Sequence, residues 1–152
     1  MALSDNRGSR EFDKFVADGS GNTSLRVTST TSETTSASST SQTVEDTSAA
    51  SASVVLTATD VEGKSRIGIQ IFNTGNTNDD QNATFKVFGT LKTSPGTVGG
   101  SNWTQIGDDI AVNRNTNAYK AISTTPIKSI GITGQTGHSS QESTCDVFIM
   151  AD

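Results

Sequence analysis

From Ser53 onward, apolar and polar residues alternate in short runs. Val54-Val55-Leu56-Thr57-Ala58-Thr59 reads as a strand closed by a turn at Glu62-Gly63. Ile67, Ile69 and Ile71 take every second position around Gly68 and Gln70, which puts the isoleucines on one buried face. A polar stretch follows from Asn73 to Asn82. Phe85, Val87 and Leu91 then share one parity and Lys86, Thr90 and Lys92 the other, with Phe88 interrupting the pattern. Further apolar pieces lie at Trp103 to Ile106, Ile110 to Val112, Tyr119 to Ile122, and Ile130 with Ile132. At the end, Cys145, Val147 and Ile149 alternate with Asp146, Phe148 and Met150. No stretch has a helical period. The pattern predicts seven or eight strands in an all-β, antiparallel β-sandwich over residues 53–152. Pro95 and Pro126 fall at strand boundaries, where a missing N–H does least harm.

Before Ser53 the pattern changes twice. Residues 29–52 are low in complexity: fifteen of these 24 are Ser or Thr, and Val44 is their one large aliphatic residue. Such a segment buries too little apolar surface to offset its ordering entropy alone. It reads either as a disordered linker or as an extended arm that orders against a neighbour. Residues 1–28 are polar apart from two apolar pieces, Phe12/Phe15/Val16 and Leu25/Val27. Asp18-Gly19-Ser20-Gly21-Asn22 separates these pieces and is a strong turn signal. A hairpin or a pair of short extended segments is expected there. Because an isolated hairpin is marginal in water, its apolar residues need a further surface.

Composition sharpens this picture. Hydrophobic residues are 31% of the 152, and most of the deficit lies before Ser53. The net charge of −5 and the scattered Lys and Arg disfavour nucleic acid and anionic membrane as partners. A single cysteine, Cys145, allows no internal disulfide. The start Met1-Ala2-Leu3-Ser4-Asp5 has neither a basic nor an apolar leader pattern, so synthesis and folding in a cytosol are expected.

Catalytic chemistry finds little to work with. The one histidine, His138, lies in a Gly/Ser/Thr loop seven residues from Cys145, whose parity matches Val147 and Ile149 and marks it as a buried small hydrophobe. Asn78, Asp79 and Asp80 in one loop and Asp108 with Asp109 in another lack ordered calcium-ligand spacing, so they read as solvated carboxylates; no metal and no cofactor is expected. Gly99-Gly100-Ser101-Asn102 lacks the Gly-Lys-Ser/Thr of a phosphate loop. No enzyme is expected. Trp103 and Tyr119, the only Trp and Tyr, are the candidate glycan contacts. Trp103 and Ile106 are three positions apart, hence on opposite faces of one strand, so one points away from the core unless a bulge intervenes.

The run Phe12 to Val27, FDKFVADGSGNTSLRV, resembles an N-terminal pattern of small tailed-phage head and tail proteins, with its aromatic-Val-x-Asp-x-x-Gly-Asn-Thr-x-x-Arg-Val core. The later runs IGIQIFNTGN, ATFKVFGTLK, NWTQIG and TTPIKSIGI look like the jelly-roll-like sandwiches that follow such N-termini. The resemblance implies a non-enzymatic structural protein of the virion. In this reading residues 1–28 are a docking segment, 29–52 an arm or linker, and 53–152 the sandwich. Phe12, Phe15, Val16, Leu25 and Val27 are the docking anchors, with Arg26 adding a directional charge contact. The expected partners are the major capsid protein or other virion proteins, with self-association as a dimer or trimer. Capsid decoration is the leading role. A neck, tail or fibre-anchor role, or a glycan- or receptor-binding module, is the alternative.

Overall fold

The structure, a computed structural model, describes residues 12–17, 23–27, 34–45, 52–75, 82–123, 126–137 and 142–152. The chain divides into two compact units, Met1–Glu33 and Thr34–Asp152. In the first, β1 (Phe12–Ala17) pairs antiparallel with β2 (Thr23–Val27). Phe15 stands opposite Leu25, Lys14 opposite Arg26 and Phe12 opposite Val27, with an irregularity between Phe12 and Lys14. The Gly/Asn turn expected between them lies outside the described residues.

The second unit holds β3 (Thr35–Val44), β4 (Ser53–Asp60), β5 (Arg66–Asn73), β6 (Ala83–Thr90), β7 (Thr104–Gln105), β8 (Ile110–Val112), β9 (Thr116–Ser123), β10 (Ser129–Thr136) and β11 (Ser143–Ala151). One sheet runs β3-β11-β5-β9. The other runs β4-β10-β6-β7, with β8 also on β6. Every pairing is antiparallel. β7 meets β6 at Phe88 and Gly89, and β8 meets the same strand at Ala83 to Phe85. They are two halves of one interrupted strand, broken at Gly107, which takes φ +69°. Counted so, the described residues of the unit form eight strands, ordered 1-8-3-6 and 2-7-4-5. That is the strand order of a jelly roll.

Period-two patterning explains the core. Ile67, Ile69 and Ile71 of β5, Phe85 and Val87 of β6, Ile130 and Ile132 of β10, and Cys145 and Val147 of β11 are all fully buried between the sheets. Each fully buried aliphatic or aromatic side chain contributes roughly 1.5–3 kcal/mol relative to exposure. Leu91 departs from its expected place on the Phe85/Val87 face: β6 ends at Thr90, and Leu91 is exposed beyond it. Asn73, read as the start of a polar loop, instead closes β5 in a buried position. Its side-chain amide donates to the Val112 carbonyl, and its oxygen accepts from Ser143 Oγ and the Gly75 N–H.

The larger correction concerns the Ser/Thr-rich segment. The sandwich begins at Thr34, not at 53, because Thr35–Val44 forms the edge strand β3, paired along β11. Its inward residues Thr35, Ala37, Ser39 and Gln42 are half-buried, and Val44 is wholly so. An edge strand needs only one partly covered face, so small hydroxyl residues suffice there. A bulge sets Thr40 and Ser41 against Asp146, with Ser41 at φ 54° and its N–H donating to the Asp146 carboxylate at 2.7 Å.

β10 is buried on both faces. Outward from it, Gly131 leaves so little room that an added Cβ would stand 2.6 Å from Val98 Cγ2. Val98 and Trp103 belong to the long β6–β7 connection, which folds over this face and covers them both.

Candidate interaction surface

The outer face of the β3-β11-β5-β9 sheet carries an apolar strip. Of the four large hydrophobic residues exposed among the described residues, Tyr119, Phe148 and Met150 lie here; Leu91 does not. Register explains the clustering. Ser38, Phe148, Gln70 and Tyr119 form one row across the four strands, and Ser36, Met150, Gly68 and Ala121 form the next. Phe72 packs edge-on against Phe148, with ring centroids 5.9 Å apart and planes at 87°.

Gly68 gives this face its relief. A Cβ there would lie 3.0 Å from Tyr119 Oη, so the Tyr119 ring leans across the glycine. The rows enclose a groove of about 730 Å³, lined on the β3 side by Ser36, Ala37 and Ser38. Arg66 closes one end, donating from Nη2 to Asp152 Oδ2 at 3.0 Å. Both partners are exposed, so this pair fixes geometry more than it adds stability.

The other sequence-derived candidates are scattered. Phe12, Phe15, Val16, Leu25, Arg26 and Val27 occupy β1 and β2 of the first unit. Trp103 is only 7% exposed, its backbone N–H donating to the Gly100 carbonyl at 2.9 Å and its indole N–H directed to Gly96 O at 3.4 Å. Ile106 packs against the core cluster over Gly89, while Trp103 stands outside that cluster and is buried within the β6–β7 connection. With its ring buried, Trp103 offers no face for sugar stacking, whereas Tyr119 is 69% exposed. Sequence reasoning missed the partnership of Tyr119 with Phe148, Met150 and Gly68, because only cross-strand register joins them.

Asp108 and Asp109 do not form an open carboxylate pair. Asp109 accepts from Gln105 Nε2 at 2.7 Å and faces Lys86 Nζ at 3.9 Å, while Lys120 Nζ donates to the Asp108 carbonyl at 2.6 Å. Asn78, Asp79, Asp80 and His138 lie outside the described residues. Among the described residues, no group of three or more His, Cys, Asp or Glu converges. Cys145 is sealed in the core. Burial, with Asp146 adjacent, pushes its thiol up to about 12, far from nucleophilic use at neutral pH.

No family model and no curated protein matches the sequence. Among solved structures, that of infectious bursal disease virus, Gx strain, is similar over 91% of this chain at 10% identity, with a TM-score of 0.37. The chain spans 38% of that protein's length.

Proposed function

We propose that this chain is a non-enzymatic structural protein of a tailed-phage virion, a capsid decoration or cement protein that docks through its N-terminal segment. The observation that carries the reading is the division of the chain. Residues Met1–Glu33 form a unit of their own around a two-stranded hairpin, ahead of a jelly roll with its own core. Two strands cannot bury a core, so such a unit gains stability by adding to a larger surface. The hairpin coincides with the run that resembles tailed-phage N-termini. Jelly rolls recur as capsid and lectin domains, which is support by fold analogy. The partner is the major capsid protein or another virion protein, and repeated weak contacts around a lattice axis would supply avidity.

The test is co-sedimentation of the full chain with capsids that lack it, combined with limited proteolysis. Protection of residues 1–33 in the pellet, lost with Phe12→Ser plus Phe15→Ser, is the expected result. A chain that stays in the supernatant with its N-terminus cleaved refutes decoration. Pelleting with tail or neck fractions instead would move the protein to those parts.

One observation favours a second reading, a glycan- or receptor-binding module: Tyr119 stands exposed beside Gly68, with Gln70 and Ser36 supplying amide and hydroxyl groups in the same groove. Glycan-array binding abolished by Tyr119→Ala would support it, and an array without signal would remove it.

A further inference from the structure

Free strand edges invite pairing, and proteins guard them with charges, prolines, bulges or brevity. The edges of this jelly roll are guarded unequally. β7 has two residues and β8 three. β9 carries Lys120 along its length. β4 ends at Asp60 and meets β10 with two register irregularities. β3 is different. It is the longest strand at ten residues, and from Thr34 to Val44 it has no charged residue and no proline. Its one interruption, the bulge at Thr40–Ser41, leaves Thr35 to Ser39 as an uninterrupted stretch. β11 satisfies one side of β3; on the other side, alternate N–H and C=O groups point away from the sheet with no strand beside them among the described residues.

We infer that β3 is a self-pairing edge, joining two copies antiparallel about a two-fold axis into one continuous sheet of twice four strands. A second copy fits this edge: in a chain of net −5 the charge-free strand meets its own copy with no like charges opposed, and the pairing prolongs the outer apolar rows of one copy into those of the other. A two-fold axis at Ala37 sets Thr35 against Ser39 of the second copy and Ser36 against its Ser38. These small hydroxyl pairs suit close cross-strand contact. The register also joins the two outer faces. Phe148 lies beside Ser38 and Met150 beside Ser36, so the row Tyr119-Gln70-Phe148-Ser38 of one copy runs on into the row Ser36-Met150-Gly68-Ala121 of the other. The groove lined by β3 in one copy then lies beside its counterpart in the other.

This inference does not depend on the virion reading. Sedimentation equilibrium of the full chain should give twice the chain mass. Ser36→Lys with Ser38→Lys should halve the mass while the circular dichroism spectrum stays unchanged, because both side chains are exposed on the outer face. Ser36→Glu with Ser38→Glu should do the same. Mixing the two charged variants should restore the dimer, since each introduced ammonium would then face an introduced carboxylate across the axis. A monomeric wild type overturns the inference, as does a dimer that survives both charge variants. Neither result bears on capsid co-sedimentation, which tests the docking reading separately.

Discussion

Val44 is the sharpest test of where the sandwich begins. It lies in a stretch of Ser and Thr that composition assigns to a linker or an extended arm, yet it is 0% exposed in the core. Val44→Ala removes two methyl groups, worth about 1.6 kcal/mol at roughly 0.8 kcal/mol per buried methylene-sized group. The void left behind adds on the order of 1 kcal/mol at about 24 cal/mol per Å³. Part of its wall is backbone: Val44 Cγ2 lies 3.2 Å from where a Cβ on Gly134 would stand, so the cavity closes poorly. The expected loss is therefore about 2–3 kcal/mol. With a urea slope of about 1–3 kcal/mol per molar, the midpoint should fall by about 0.7–3 M. The single tryptophan, Trp103, sits in the jelly roll, so its fluorescence reports on that unit. Thr43→Ala, on the exposed side of the same strand, is the control and should change stability by less than about 0.5 kcal/mol. Equal midpoints for Val44→Ala and Thr43→Ala would refute the placement of β3.

Three further outcomes follow from the same geometry. Deleting residues 1–33 should leave a cooperative unfolding transition, whereas deleting 1–52 removes β3, uncovers β11 and should abolish it; calorimetry distinguishes them. Gly134→Ala should cost about 1–3 kcal/mol by overpacking, because the added Cβ would meet the Phe85 ring at 2.8 Å, and the urea midpoint measures this. Cys145 should resist thiol reagents until the protein unfolds. Its thiol keeps its proton up to about 12 when folded but loses it near 9.0 when unfolded, so the folded state binds more protons between those values. Stability contributed by this site should thus fall as pH rises through that window, a slope that Cys145→Ala removes.

The sequence by itself determined the alternating strands, and with them the inner faces. Each buried set at Ile67/Ile69/Ile71, Phe85/Val87, Ile130/Ile132 and Cys145/Val147/Ile149 is written at period two, a local consequence of side chains pointing to opposite sides of a strand. Cys145 was legible as core for the same reason, and the pairing of Phe12–Ala17 with Thr23–Val27 was expected from the turn residues between them, which lie outside the described residues. Three features were decided only by tertiary structure. Thr35–Val44 is a strand because β11 offers it an edge, and no residue in it announces burial except Val44. Trp103 is covered because the β6–β7 connection folds over β10, a cover that alternation along one strand does not encode. The Tyr119, Phe148 and Met150 strip exists because two pairings bring residues from distant segments into adjacent rows. Periodicity is a property of one strand and can be read from its residues. Register and edge exposure arise between strands, and exist only after the sheets have formed.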